Sequence, residues 1–419
     1  IQLLGDVPWL EVDLNVDSEE LYGPKMKRNQ VFQKIIEDLD FAIQWLPEAG
    51  SEEANRLNKD IARHVKARFC LNEGTHYKYH DELEYASEAE KWLQMAATES
   101  DKLITSGRYE IYNTGHPQED YFNMYRIDDK SDLKEAVLYV DYKTNIREHN
   151  MAAAGREAGC GFSKSFVESF LCSDGLPISL SNKYLGDETM RKETANRDPR
   201  LKQLILTNDF PTNVTDDLKD STFVVNEDEF ITQHCFTGYR PIKGFNPIYS
   251  QALYMKSSFD GIAYRYAETL LINAEAKAEL NTITNADLDR TVNQLRDRVG
   301  MPHLTVNVGF TDPKWPDWGY SLSPVLQEIR RERCIELAGE GFRFNDLKRW
   351  KAGKLLNNVL TYVGKRKPDG NLAIVYPNYT NPDLSYQAGK SRTWEDKMYL
   401  YPIPTGELQR NPQLLPQNP

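Results

Sequence analysis

Residues 328–350, EIRRERCIELAGEGFRFNDLKRW, constrain the fold more than any other part of this chain. Leu326, Ile329 and Leu337 recur at helical spacing, so they fall on one face of a helix. Arg333 falls on the same face. A guanidinium that faces a core requires a carboxylate partner, because an unpaired buried charge is strongly destabilising. We therefore predict that Arg333 is buried and ion-paired.

Carboxylates for this pairing lie close in the sequence. Glu336 and Glu340 follow within two helical turns, and Asp346 can reach back after a turn at Gly339 and Gly341. The segment therefore predicts a helix, a glycine-made corner and a second helix. We interpret its dense charges as a structural ion network rather than a catalytic site, because their spacing suits ion pairing.

The same segment resembles the SusD/RagB family of outer-membrane nutrient-binding lipoproteins, whose pattern is ERxxEL, then EGxR, then DLxRW. The end of the chain matches the family's closing pattern, YPIPxxE…NPxLxQN, from Tyr401 to Pro419. Further family elements occur in order at Gly5–Pro8 (GxVP), Asp174–Ile178 (DGxPI), Arg197–Leu201 (RDPRL), and Arg265–Glu268 with Ala274–Ala276 (RYAE…AEA). Several motifs in one order are far more specific than any one of them.

The resemblance implies a mainly α fold, with tetratricopeptide-like helical hairpins as a SusD-like α-solenoid scaffold and a large irregular part that contains short strands. It implies a non-catalytic surface lipoprotein that captures an oligosaccharide, or less often a peptide. The partner it implies is a SusC-like TonB-dependent outer-membrane transporter, which receives the ligand. The family's lipidated N-terminal cysteine precedes the GxVP turn, so we expect this chain to be N-terminally incomplete and its anchor to lie outside it.

Composition restricts the other function classes. The net charge of −12 and the pI near 5.3 argue against nucleic-acid binding and against docking on an anionic membrane surface. No apolar run approaches the roughly 20 residues that span a bilayer.

Cysteine usage gives no evidence of a disulfide framework or a zinc site. The five cysteines are scattered and contain no CxxC pair, which favours their interpretation as small buried hydrophobes. An exported protein could still pair two of them. They are Cys70, Cys160, Cys172, Cys235 and Cys334.

Helical periodicity predicts two helical blocks, 29–107 and 260–351, within one domain that covers residues 1–419. The predicted helices are 31–46, stopped by Pro47; 61–74, ending near Gly74; 85–103, stopped by Gly107; 263–280; 285–299, with a capping box at Thr284 and Asp287; and 324–338, after Ser323.

Two segments, 108–259 and 361–419, differ in composition from the helical blocks. They contain Gly, Pro, Asn and Asp at intervals, and β-prone runs occur at 136–142, 203–207 and 222–225. We expect these segments to pack on the helical scaffold and to carry the ligand, because binding residues concentrate in loops on a rigid support.

Aromatic residues are the candidate ligand contacts. Sugar rings have apolar faces that stack on aromatic planes, and their hydroxyls need polar neighbours. Trp315, Trp318 and Tyr320 crowd the Pro-rich loop TDPKWPDWGY, with Asp312 and Asp317 among them. This loop is either a stacking platform or a plug that covers the approach to helix 324–338.

Other aromatic residues divide into weaker candidates and core residues. We assign Trp394, Tyr249 and Tyr254 as weaker ligand candidates, since they lie in irregular segments. We assign three other tryptophans to the core, Trp45 and Trp92 because of their helical spacing and Trp350 because of its position in the family motif.

Metal and cofactor signals are weak. His76 and His80 have metal-ligand spacing but no third ligand nearby, which favours contacts at a helix end. The acidic clusters at 128–132, 216–217 and 227–229 lack the calcium-loop pattern. We assign no catalytic residue, metal or cofactor.

Two rival functions remain open at this point. A glycoside hydrolase on a helical scaffold predicts turnover and a cleft with two carboxylates roughly 5–10 Å apart. A tetratricopeptide adaptor predicts a groove lined by helices and no affinity for sugars. No GxSxG elbow, P-loop or HExxH motif is present in the sequence.

Overall fold

The computed structural model describes five ranges of the chain, residues 1–51, 55–151, 161–232, 234–374 and 392–418. Helices dominate and strands are short, which confirms the predicted mainly α class. The tetratricopeptide-like repeat geometry, the single domain and the two-block division stay predictions. Cys160 lies outside the described residues, and the other four cysteines have free thiols.

Three long helices form the first part of the scaffold: α1 (Arg28–Trp45), α2 (Lys59–Tyr79) and α3 (Ala86–Thr105). The Asn58 side chain caps α2 by accepting from the N–H groups of Asp60 and Ile61. The three helices pack in sequence order, α1 on α2 and α2 on α3.

The predicted end of the second helix at Gly74 is wrong, because α2 continues to Tyr79. Gly74 lies in the α2–α3 interface, and a Cβ there would lie 2.9 Å from Leu93 Cγ and 3.0 Å from Leu93 N. The glycine therefore permits close helix packing and does not end the helix.

The middle of the chain contains short helices and two antiparallel strand pairs, of which only the second is a hairpin. The short helices are α4 (Asp120–Asn123), α5 (Lys164–Glu168), α6 (Met190–Thr194) and α7 (Arg200–Leu204). Strand β1 (Ala136–Val140) pairs antiparallel with β4 (Gly261–Arg265), and β2 (Pro211–Val214) pairs antiparallel with β3 (Ser221–Phe223).

The strand predicted at 203–207 is wrong over its first half, where α7 occupies the sequence. Asp198 starts this helix: its carboxylate accepts from Arg200 N–H, and its carbonyl accepts from Leu201 N–H. Local capping therefore overrides the β propensity of the run.

The second part of the scaffold follows β4. Its helices are α8 (Tyr266–Glu279), α9 (Asn285–Asp289), α10 (Val292–Arg298), α11 (Pro324–Glu336) and α12 (Arg343–Arg349). The Thr284 capping box and the Ser323 cap are confirmed.

Two helix predictions in this part need correction. Helix 263–280 begins three residues late, because residues 261–265 pair with β1 instead. Helix 285–299 is broken at Thr291, whose backbone angles are φ −130° and ψ −96°. A local apolar repeat predicts neither the pairing of residues 261–265 with β1 nor the helix break at Thr291.

Helix α8 lies at the centre of the fold, since it packs against α2, α3 and α11. Trp92 and Trp350 are buried, as predicted. Trp45 is not: it is 68% exposed at the last position of α1, and its nearest aromatic neighbour is Phe41.

The C-terminal part adds β5 (Val363–Arg366), β6 (Leu372–Ile374) and α13 (Thr405–Arg410). It reaches back to the start of the chain, where Tyr401 N–H donates to Leu3 O. None of the helices described is long and apolar enough to cross a membrane.

Candidate functional site

Glu336 lies at the centre of a buried ion network. Its carboxylate accepts from Arg298 at 2.6 and 2.7 Å, from Arg265 at 2.7 Å and from Arg200 at 3.1 Å. Burial opposes its ionisation, but the three guanidinium groups outweigh burial and hold the Glu336 pKa well below its ordinary value. Glu336 is therefore a fixed anion that ties α7, β4 and α10 to α11.

Arg333 is buried and paired, as predicted, and its partner is Asp346 after the glycine corner. Arg333 Nε lies 2.9 Å from Asp346 Oδ2. The nearer acids have other partners: Glu336 contacts the three arginines above, and Glu340 accepts from Arg265 and Lys243.

The second half of the motif forms another buried clamp, centred on Glu275 of α8. Arg349 binds this carboxylate with two hydrogen bonds of 2.6 and 2.8 Å, and the Trp350 indole N–H donates to it at 2.8 Å. The sequence pattern DLxRW therefore holds α12 against α8.

A cavity of about 560 Å³ lies beside both networks. Arg68 of α2, Arg265 of β4, Lys243, Glu340 and Phe342 are among its lining residues. Burial lowers the Lys243 pKa to about 8, against the opposing pull of Glu340.

Three carboxylates that line this cavity are poor proton donors. Burial opposes the ionisation of Glu340, Asp346 and Glu268, yet in each case basic neighbours prevail and lower the pKa. A glycosidase needs one carboxylic acid whose pKa is raised. Within the described lining of the cavity, these three acids give no such donor.

The loop that contains Trp315, Trp318 and Tyr320 is hydrogen-bonded to α11. The indole N–H of Trp315 donates to Glu328 at 2.7 Å, and that of Trp318 donates to Gln327 at 2.6 Å. The Tyr320 hydroxyl donates to Trp350 O at 2.5 Å. All three polar ends are thus engaged by the protein.

The aromatic rings of this loop are partly or fully buried, which limits the surface available for stacking on a ligand. Trp318 is only 5% exposed and packs edge-on against Trp350, whereas Trp315 and Tyr320 are half-buried. The geometry favours the plug interpretation for Trp318, and a ligand-binding role for the loop stays a prediction.

Trp394 is also largely buried. Its ring lies 5.1 Å from that of Tyr399, and a Cβ at Gly353 would lie only 2.0 Å from it. The indole fills a space that only glycine leaves open. Its predicted ligand role stays untested, and this position offers a ligand little of the ring.

Tyr249 and Tyr254 are 52% and 74% exposed. Both belong to a segment, residues 249–255, that we call the tyrosine loop. Leu253 and Met255 in the same segment are 40% and 44% exposed. Among the sequence-predicted ligand residues, these two tyrosines alone present large open ring surfaces.

Sequence reasoning named the acidic cluster at 216–217 but did not predict its contact with this loop, and it missed Asn150. Ser250 N–H donates to Asp216 Oδ1 at 2.9 Å, and Met255 N–H donates to Asn150 Oδ1 at 3.2 Å. Met151, beside Asn150, lines the cavity. These contacts join positions far apart in the chain, so no local pattern could have revealed them.

His76 and His80 stack with their ring centroids 3.9 Å apart. His80 Nε2 lies 2.8 Å from the Lys348 carbonyl, which makes this nitrogen a donor rather than a metal ligand. Within the described parts of the chain, no group of three or more His, Cys, Asp or Glu residues could hold a metal ion.

A family model described as the SusD family matches residues 99–419. Among curated proteins, SusD-like protein P2 of Formosa agariphila is 24% identical to this chain over 432 residues, which cover all of this chain and 70% of that protein.

Two solved structures from Bacteroides fragilis share the fold. The crystal structure of a SusD-like protein is 25% identical, with a TM-score of 0.72, and the match covers 100% of this chain and 76% of the other. The structure of a SusD-like carbohydrate binding protein is 21% identical, with a TM-score of 0.70, and the match covers 99% and 76%.

Proposed function

Because this chain belongs to the SusD family, we propose that it is a non-catalytic cell-surface protein that binds oligosaccharides and delivers them to a SusC-like TonB-dependent transporter. A lipid anchor in the outer leaflet of the outer membrane is part of this proposal. The similar Bacteroides fragilis protein described as carbohydrate binding supports the choice of a glycan over a peptide.

The exposure of Tyr249 and Tyr254 is the observation that carries the proposal. Single exposed apolar residues are common on soluble proteins, whereas a contiguous exposed patch marks a binding surface, and Leu253 and Met255 add exposed apolar surface to this loop. In the described parts of the chain, neither ring pairs with another aromatic ring, and neither hydroxyl has a hydrogen-bond partner. The rings and hydroxyls are free to stack on a sugar and to bind it.

Glu336 and Asp346 do not fit the role of an acid catalyst. Both carboxylates are ionised and held by arginines. This arrangement suits a rigid support for loops, and neither of these two acids offers a hydrolase a protonated donor.

The test is an oligosaccharide array with the purified protein, followed by titration calorimetry and product analysis. We expect saturable binding of at least one oligosaccharide and no cleavage products. Binding of peptides but of no sugar, or turnover of a bound sugar, would overturn the proposal.

A further inference from the structure

The tyrosine loop is held open by its own hydrogen bonds. Ala252 N–H donates to Ile248 O at 2.9 Å, and the Ser257 hydroxyl donates to Gln251 O at 2.9 Å. Buried Ala252 anchors the middle of the loop. The exposure of Tyr249 and Tyr254 is therefore built into the loop.

The turn between β2 and β3, residues 215–220, lies against this loop. Tyr249 N–H donates to Val214 O at 2.9 Å, next to the Ser250–Asp216 hydrogen bond. Asp216 is exposed, and among the described residues its second carboxylate oxygen has no partner. The Asp216 carboxylate is thus fixed on the backbone of the residue that follows the exposed Tyr249.

The charge of this turn is negative. It carries Asp216, Asp217 and Asp220, and its single basic residue, Lys219, pairs with Asp217 at 2.9 Å. The surface beside Tyr249 is therefore a carboxylate surface.

The basic residue nearest to Tyr254 in the sequence is also paired. Lys256 pairs with Glu148 at 3.1 Å. Lys143 and Arg147 belong to a separate turn closed by their own backbone hydrogen bonds, and Arg147 lies over the Tyr142 ring.

We infer that the tyrosine loop and the carboxylate turn form one binding surface for uncharged oligosaccharides, on which Asp216 accepts a sugar hydroxyl and polyanionic glycans are rejected. This inference rests on the proposed function and narrows its ligand class. Carboxylates form strong hydrogen bonds with neutral hydroxyl donors, whereas a sulfated or uronate chain would meet like charges.

The test compares the wild-type protein with D216N on two panels, uncharged oligosaccharides and sulfated or uronate-containing ones. Asparagine keeps an acceptor for Ser250 N–H and removes the charge. We expect the D216N change to weaken binding of the uncharged ligand by roughly 10-fold, the loss expected for a hydrogen bond to a charged acceptor. E90Q, a change of an exposed acid on α3, is the control, and its affinity should equal that of wild type.

Salt dependence gives a second readout. Affinity for the uncharged ligand should change less than about twofold between roughly 0.05 M and 0.5 M NaCl, because no ion pair forms. Binding of polyanionic glycans, or unchanged affinity in D216N, would overturn the inference and leave the proposed function standing. Failure of every glycan on both panels would overturn the proposed function itself.

Discussion

At the residue scale, the fold depends on carboxylates that are ionised although they are buried. Glu336 holds three guanidinium groups at once, and Arg298 and Arg265 also share Glu135. Removing one member of such a network leaves buried charges that the remaining partners compensate only in part.

Replacement of Glu336 by leucine should therefore lower the free energy of unfolding by about 3–5 kcal/mol, because three arginines lose their shared anion. Denaturant titration followed by circular dichroism measures this difference. Glu90→Leu, on the exposed face of α3, is the matched control and should change stability by less than about 0.5 kcal/mol. Equal midpoints for the two variants would contradict the ion-network account.

Stability should also fall in acid. In the folded state the pKa values of Glu336, Glu340 and Asp346 lie below their ordinary values, because arginine and lysine contacts outweigh burial. Their stabilisation is complete above the unfolded pKa, near about 4.3 for Glu, and is lost as pH falls towards the folded values.

We expect the free energy of unfolding to decrease steadily from about pH 5 to pH 3, as measured by urea titration at several pH values. The Glu336→Leu variant should show a shallower decrease than wild type, and Glu90→Leu should follow wild type. A pH-independent wild-type stability over this range would show that these acids are not preferentially ionised in the fold.

At the element scale, the close contact between α2 and α3 depends on a residue with no side chain. Gly74 faces Leu93 across the α2–α3 interface, where an added Cβ would press on both the side chain and the backbone. Helix propensity favours alanine over glycine by about 1 kcal/mol, whereas overpacking costs about 1–3 kcal/mol.

The Gly74→Ala substitution should accordingly destabilise the protein, since a backbone nitrogen cannot move aside as a flexible side chain can. Gly406→Ala in α13 provides the opposite case, because no atom lies within 4 Å of its Cβ position. We expect thermal unfolding to shift down for the first variant and to stay level or shift up for the second. A stabilised Gly74→Ala protein would refute the close-contact interpretation.

The elements also show why periodicity predicts some boundaries and misses others. Helix α1 ends before Pro47 and α11 begins after Ser323, because these signals act within a few residues. In the sequence, Gly74 resembles a helix-termination signal. Only the contact with Leu93 in the fold shows that it permits close helix packing instead. The strand at 261–265 depends on a partner more than 120 residues earlier, so a local repeat cannot distinguish it from the start of α8.

At the scale of the whole molecule, the sequence predicted the family and the structural motif better than the ligand surface. Arg333 could be assigned to the core because its partner Asp346 lies in the same motif, and Trp350 could be assigned to it because it ends that motif. Trp318 was ranked above Tyr254 because burial by a distant element cannot be seen in a loop sequence. The open rings of Tyr249 and Tyr254 became identifiable only from their exposure in the fold.

The account predicts that stability and ligand binding depend on different aromatic residues. Trp318→Ala should lower the free energy of unfolding by about 3–5 kcal/mol, because it removes a buried indole that packs on Trp350. Tyr254→Ala should leave it within about 0.5 kcal/mol of wild type, since the ring is exposed. Denaturant titration measures both free energies of unfolding. A larger loss of stability in Tyr254→Ala than in Trp318→Ala would contradict the assignment.

The most direct test of the central claim is the affinity of Tyr254→Ala for the oligosaccharide that wild type binds, measured by titration calorimetry. The matched control is Trp45→Ala, which removes an equally exposed aromatic ring from α1. We predict that Tyr254→Ala loses about 1–3 kcal/mol of binding free energy and that Trp45→Ala loses none. Equal affinity of Tyr254→Ala and wild type, or a loss confined to Trp45→Ala, would contradict the placement of the ligand on the tyrosine loop.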